Sequence, residues 1–460
     1  MKQKNDRAFY RKFFTVYIAL VLQNVVTLSV NLADNIMLGG YSEVALSGAA
    51  AVNQIQFVFQ QMIMALGDGL VILSSQYWGK RQTEPMKKIA AQAMHAALFV
   101  TVCLFLLVSL FPREILGLFT ADEPIIREGM SYLGIIRFTY LFFAMTQILL
   151  AVLRSVEIVK IAFYLSVITL CINCGINFVL IYGRFGAPEL GAAGAAIGTL
   201  AARIAEFVIL LAYIAKKAQF LHLSVKSFLK TDRTLSLDYF KITAPMFVVN
   251  GLWGLNTALQ TVILGHMTSA AIAANSVAST IFLMVKSMAV GAASSASIVI
   301  GKTIGEGNMN LVKQYAKKMQ KMFVVIGLVS GLVLFLIRIP ILELYELTPA
   351  TREMANTFLL ILSVVIVGMS YQMPTNNGII RGGGSPMFVV KMDLISIWCI
   401  VIPLSFFMAF VVQASPAVVV CCLNADQVFK CVPAFIKANF GSWIRELTRE
   451  DPDREEKKEQ

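Results

Sequence analysis

Residues 160–217 read KIAFYLSVITLCINCGINFVLIYGRFGAPELGAAGAAIGTLAARIAEFVILLAYIAKK. Two apolar runs, 160–183 and 190–214, are each long enough to cross hydrocarbon as a helix, which takes about 20 residues. Lys160 stands before the first run and Lys216 and Lys217 follow the second, while the turn between them holds only Arg184. One hairpin of spans therefore has both of its basic ends on the same side. The same grammar recurs along the chain, at roughly 13–37, 44–75, 89–111, 128–152, 160–183, 190–214, 240–264, 271–300, 320–337, 354–379, 386–412 and 416–436, with Asp426 and Lys430 interrupting the last.

Composition agrees. The 460 residues are 57% hydrophobic and only 14% charged, with a mean hydropathy of +0.72, where soluble domains carry about 25% charged residues. Ten-residue alternating patterns of a membrane barrel are absent, so the spans are helices. The formal charge of +12 does not indicate nucleic acid, because the charges sit in loops. Of the 39 Lys and Arg residues, 31 fall in the N-terminus, in every second connection and in the tail; five (Arg113, Arg127, Arg184, Arg338, Arg352) fall in the other connections. Three more, Arg137, Arg203 and Lys286, lie within spans. Basic loops stay in the cytoplasm, so an even count of twelve spans with both termini cytoplasmic follows. The first apolar run is too long for a secretory signal and no cleavage site follows it.

A shift of 226 residues lays 38–91 over 264–317 without a gap and matches nine positions, among them Leu38/Leu264, Gly39/Gly265 and Gly79/Gly305. Arg154 and Arg381, 227 apart, each follow the fourth span of their half. The expected fold is thus an all-α polytopic membrane protein: two parallel-repeat lobes of six helices around a central cleft, the usual construction of a rocking secondary transporter. We divide the chain into an N-terminal lobe 1–216, a linker 217–239, a C-terminal lobe 240–436 and a charged tail 437–460.

Several segments carry a family resemblance: NLADNIMLGGYSEVALSG (31–48), SSQYWGK (74–80), INCGINFVLIYG (172–183), LGAAGAAIGTLAARIAE (190–206), APMFVVNGLWGLNTALQTVILG (244–265), GIIRGGG (378–384), DLISIWCIVIPL (393–404) and SWIRELTRE (442–450). In this order on twelve spans they resemble multidrug and toxic compound extrusion (MATE) transporters of the bacterial type. The resemblance implies a multi-pass protein of the bacterial cytoplasmic membrane, a monomer, that exports small organic cations or amphipathic drugs in exchange for H+ or Na+ by alternating access.

A carboxylate inside a bilayer costs about 2.5–3.5 kcal/mol on insertion scales, so each needs a partner or a purpose. Asp34, among Leu32, Ile36 and Met37, can snorkel to the outer interface or serve as a cation or proton site; the resemblance implies that it is the coupling carboxylate. Asn173 and Asn177 are four apart and share a helix face. They can bond neighbouring helices or act as neutral ligands beside a carboxylate, and in relatives this pair lies near the span 1 aspartate. Thr199 matches a further hydroxyl ligand of the family. Asp68 is either a charge lining the cavity or a partner for Arg137 or Lys286. Arg203 and Glu206 are three apart and can satisfy each other, and Asp393, close to the inner side, either orients its helix or, as the lesser alternative, takes part in transport. Relatives often carry acids in spans 7 and 10, where this chain has Asn250-Gly251 and no Asp or Glu over 354–380, so coupling rests on Asp34.

No cofactor is expected beyond the coupling ion, and no metal beyond a possible sodium at Asp34. The Cys171-x-x-Cys174 pair lies in an apolar helix, where thiolate character is suppressed. Two alternatives stay open: a lipid-linked saccharide flippase, which calls for a cationic cavity, and a membrane-embedded enzyme. Against the enzyme, His95, His222 and His266 lie in separate segments and no hydrolytic or metalloprotease motif appears.

Overall fold

The computed structural model describes residues 2–120, 122–218, 232–265, 267, 269–343 and 348–449. His222, His266, most of the linker (219–231) and the last residues of the tail (450–460) lie outside that set. All the long elements among the described residues are helices: Lys2–Gly39, Glu43–Gly79, Thr83–Leu110, the pair Glu123–Ile136 and Thr139–Ser155 bent by 50°, Lys160–Ile181, Gly191–Lys217, Arg233–Gly265, Ser269–Gly305, Met309–Leu342, Pro349–Ile380, Pro386–Val411 and Pro416–Phe440. We number these spans 1 to 12. Ten are long and apolar enough to cross a membrane, and the bent pair makes eleven. Span 7 (Arg233–Gly265) is equally long, its apolar run diluted by Asn250, Asn256 and Gln260.

Local chemistry sets the ends. Ser42 caps span 2, accepting from the Ala45 N–H at 3.4 Å, and Asn308 caps span 9, accepting from Leu311 N–H at 3.1 Å. Span 9 therefore starts well before its apolar run at 320–337, because Lys313, Lys317, Lys318 and Lys321 are good helix formers and carry the helix beyond the hydrocarbon. Span 10 widens to a π-helix at Pro374–Ile380. Proline has no N–H and its ring clashes with the carbonyl four residues back, so the turn opens there.

One core joins the six spans of the first half, with Leu235, Tyr239, Ile242 and Met246 of span 7 packed into it. Reciprocally, Phe9, Phe13 and Tyr17 of span 1 pack in a core of the second half with Ile300, Phe323 and Ile379. Leu235 and Tyr239 stand 226 residues after Phe9 and Phe13, so the repeat seen in the sequence is a repeat of packing: each half lends the basic end of its first span to the other.

The halves touch closely at the basic ends of spans 2 and 8. A Cβ on Gly79 would come 2.2 Å from the Lys302 carbonyl, and one on Gly305 would come 1.9 Å from the Gln76 carbonyl. Only glycine admits that approach. Beyond the last span, residues 441–449 run without helix across both halves. Trp443 is buried in the second half, and Arg445 N–H donates to the Gly383 carbonyl at 2.8 Å. In the first half the Gln76 amide grips the same strap twice, donating to Arg445 O at 3.1 Å and accepting from Leu447 N–H at 2.7 Å.

Candidate functional site

Span 1 brings Asp34 against span 5, where Tyr182 pins the helix end by donating to the Met37 carbonyl at 2.8 Å. The carboxylate is 9% exposed, and Asn173 and Asn177 are fully buried beside it. Asn177 Nδ2 donates to Asp34 Oδ1 at 2.6 Å and lies 3.3 Å from Asn173 Oδ1; Asn173 Nδ2 donates to Thr199 Oγ1 at 3.2 Å. All four residues expected to meet, Asp34, Asn173, Asn177 and Thr199, form one continuous hydrogen-bonded chain from three spans.

Two residues of this cluster carry no local signal. A Cβ on Gly198 would sit 2.0 Å from Asn177 Oδ1, so span 6 has glycine where the amide needs room. In sequence that glycine reads as ordinary small-residue packing. Tyr132 of span 4 hydrogen-bonds Thr199 and faces Asp34 electrostatically, and nothing in its own segment marks it.

The electrostatics are lopsided. Arg203 is the cation that faces Asp34 electrostatically, but it is held by Glu206 at 2.7 Å, the pair expected from their spacing. Asp34 is thus a buried acid bonded to neutral amides. Asn177 Oδ1 is buried without a hydrogen-bond partner. A carboxylate, an orphaned amide oxygen and a hydroxyl suit a proton or a hard monovalent cation, which favours oxygen ligands.

The other intramembrane acids are differently placed. Asp68 pairs with neither Arg137 nor Lys286: its partner is Arg381, at 3.3 Å. Arg137 instead donates to Ser109 at 3.1 Å, and Lys286 lies over the Trp253 ring, 4.7 Å from its centre. The reason is register, since Asp68 lies near the basic end of span 2, level with the end of span 10. Lys430, which by sequence groups with the basic tail, is a buried side chain of span 12, 2.8 Å from both Asp393 and Asp426. The second half therefore does hold a buried carboxylate, Asp426 in span 12, beside the partly exposed Asp393 of span 11, and both pair with one lysine.

Two stretches, residues 19–179 and 245–407, match the family model MatE. The chain belongs to the MatE family. The matches begin 226 residues apart, at 19 and 245, which is the offset of the internal repeat. The chain is 25% identical over 416 residues to the probable multidrug resistance protein YoeA of Bacillus subtilis, covering 88% of each. It is 23% identical over 442 residues to the probable multidrug resistance protein NorM of Thermotoga maritima, covering 93% of this chain and 92% of that one. In fold it is similar to the Vibrio cholerae MATE transporter VcmN, with a TM-score of 0.85 at 17% identity over 94% of this chain and 96% of that one. The eukaryotic MATE transporter AtDTX14 superposes with a TM-score of 0.83, also at 17% identity, over 95% and 96%. This MatE protein is a multi-pass membrane protein of the twelve-helix MATE fold.

Proposed function

We propose that the protein is a secondary active exporter of amphipathic, drug-like compounds, driven by H+ or Na+ bound at Asp34. The observation that carries this is a carboxylate buried in the membrane on neutral ligands alone, Asn177 at 2.6 Å with Asn173 and Thr199 behind it. Such a group changes charge when a proton or sodium ion arrives, and the surrounding hydrogen bonds must then rearrange. That gives the ion different affinities in two conformations, the condition for coupling. The multidrug resistance names of the relatives support drug export over the flippase reading.

In this reading the basic face is cytoplasmic, the membrane is the bacterial cytoplasmic membrane and the working unit is a monomer. Residues 1–216 and 240–436 are the two moving bodies. The glycine contact at Gly79 and Gly305 and the strap on Gln76 close the cytoplasmic side, so the cleft faces outward, and access alternates when that seam parts. Asp34, near the opposite end of span 1, can then exchange its ion with the outside while substrate leaves.

The test is reconstitution in liposomes with proton and sodium gradients imposed separately. Asp34→Asn is nearly isosteric and deletes only the charge. It should bind substrate, remain folded and lose gradient-driven export; normal export by this variant at normal protein level would remove Asp34 from the mechanism.

A further inference from the structure

The partly or fully buried basic side chains of the spans divide into those with a fixed carboxylate and those without. Arg203 holds Glu206 at 2.7 Å, Arg381 holds Asp68 at 3.3 Å, and Lys430 lies between two aspartates at 2.8 Å. Among the described residues, those with no carboxylate within salt-bridge distance include Arg137, Lys286 and Arg154, the last of which faces Asp68 electrostatically. Arg137 is explained by its place: it bonds Ser109 and lies against the rings of Phe105 and the exposed Phe138 at the outside of the first half.

Lys286 has no such explanation. It stands midway along span 8, one turn from the 43% exposed Leu283. Its ammonium lies 4.7 Å from the centre of the Trp253 ring, and that ring touches Phe57 of span 2 at 5.7 Å between centroids, tilted 43°. The next residue of span 7, Gly254, lies against Val58, the next residue of span 2. This platform therefore belongs to both halves, at the seam of spans 2 and 7 and at mid-depth, where transporters of repeated architecture bind their substrates. The acid that faces Lys286 electrostatically is Asp426, whose Oδ2 already accepts from both Lys430 and Gln427, each at 2.8 Å. A lysine inside the bilayer without a counter-ion of its own marks a pathway or a ligand.

We propose that Lys286 supplies the anchor for an anionic group on the exported compound: the cleft takes a planar aromatic carboxylate, its rings against Trp253 and Phe57 and its carboxylate on the Lys286 ammonium. This rests on the export reading above and narrows its substrate class away from organic cations. A fixed ammonium repels a cationic guest in a medium of low dielectric, whereas a carboxylate brings the counter-charge the site lacks. Aromatic guests gain from offset or tilted packing on the same two rings. Charge bookkeeping changes as well: one H+ or Na+ inward for one monoanion outward moves charge in a single direction, so the membrane potential drives the exchange, while a monovalent cation exchanged one for one would move none.

The test compares pyrene butanoate with a pyrene butyl trimethylammonium, compounds of the same ring system and opposite charge. Binding to the purified full-length protein in detergent is followed by tryptophan emission, and export from liposomes is measured separately. Wild-type protein should bind the carboxylate at least tenfold more tightly than the ammonium compound. Lys286→Met should erase that preference and Lys286→Arg should retain most of it, with thermal unfolding confirming that each variant is folded; Lys286→Gln replaces the methionine variant if that one is unstable. A wild-type preference for the ammonium compound, or an unchanged preference in folded Lys286→Met, overturns the assignment. Carboxylate binding that depends on Lys286, without gradient-driven movement of either compound, would sustain the assignment and overturn the export reading instead.

Discussion

Arg381, the residue that follows span 10, donates from Nη2 to Asp68 Oδ2 of span 2 at 3.3 Å, a bond between the two halves across 313 residues of sequence. Asp68 also faces Arg154 electrostatically, and Arg154 is the repeat counterpart of Arg381. One acid at the seam thus bonds the arginine of the second half and faces, without a bond, its repeat counterpart of the first half.

Arg381→Gln should weaken the closed seam. It removes a charge-assisted hydrogen bond, worth at most about 1.5–3 kcal/mol and less here because the Asp68 side chain is 38% exposed. A cysteine at Ser75, buried at the seam against Gly301, should then react severalfold faster with a thiol reagent applied at the basic face. An unchanged labelling rate would show that the bond does not hold the halves together.

At the ion site, Gly198→Ala is expected to mimic loss of Asn177. Its methyl would lie 2.0 Å from Asn177 Oδ1, so the amide must move and the 2.6 Å bond to Asp34 must break. Export should fall at least tenfold while the protein stays folded, since overpacking typically costs about 1–3 kcal/mol. Full export by Gly198→Ala would mean that Asn177 does not position the carboxylate.

Gly305→Ala places a Cβ 1.9 Å from the Gln76 backbone carbonyl, an atom that cannot rotate away. The seam at the basic ends of spans 2 and 8 should then fail to close. The prediction is a protein that accumulates in the membrane normally, labels readily at a Ser75 cysteine and does not export; wild-type export by this variant would refute closure at Gly79 and Gly305.

The strap should be insensitive to physiological pH. Glu446 pairs with Lys80, which holds its carboxyl below the ordinary glutamate range. A depressed folded-state value means that its contribution is fully present above the unfolded value of about 4.3 and is lost as pH falls through the lower folded value. Strap docking, followed by proteolysis at Arg445 or Arg449, should therefore be constant between about pH 5 and 8 and loosen only in stronger acid. Release near neutral pH would point to a different titrating group.

Much of this architecture is legible in the order of the amino acids, for one reason. Hydrocarbon offers no hydrogen-bond partners, so a spanning segment must satisfy its backbone internally, and an apolar run of about 20 residues has one conformation open to it. The twelve runs, their alternating basic ends and the 226-residue repeat are all properties of single segments read in order. Asn173 and Asn177 could be placed on one face for the same reason, because helix periodicity is local.

Contacts between helices are another matter. Asp68 carries no mark of Arg381, Lys430 reads only as an interruption of the last apolar run with no sign of Asp393, and Gly198 gives no sign that it makes room for an amide. A helix period tells which residues share a stripe and never which stripe of another span will face it. The strap over 441–449 has no period at all, so its grip on Gln76 had no signature. The helices, their number and direction and their twofold repetition follow from sequence alone, because water and lipid impose those on each segment separately. It took tertiary packing to set Asp34 on neutral amides, to bridge the halves through Asp68 and to leave Lys286 without a counter-ion, because each depends on the distance between side chains far apart in the chain.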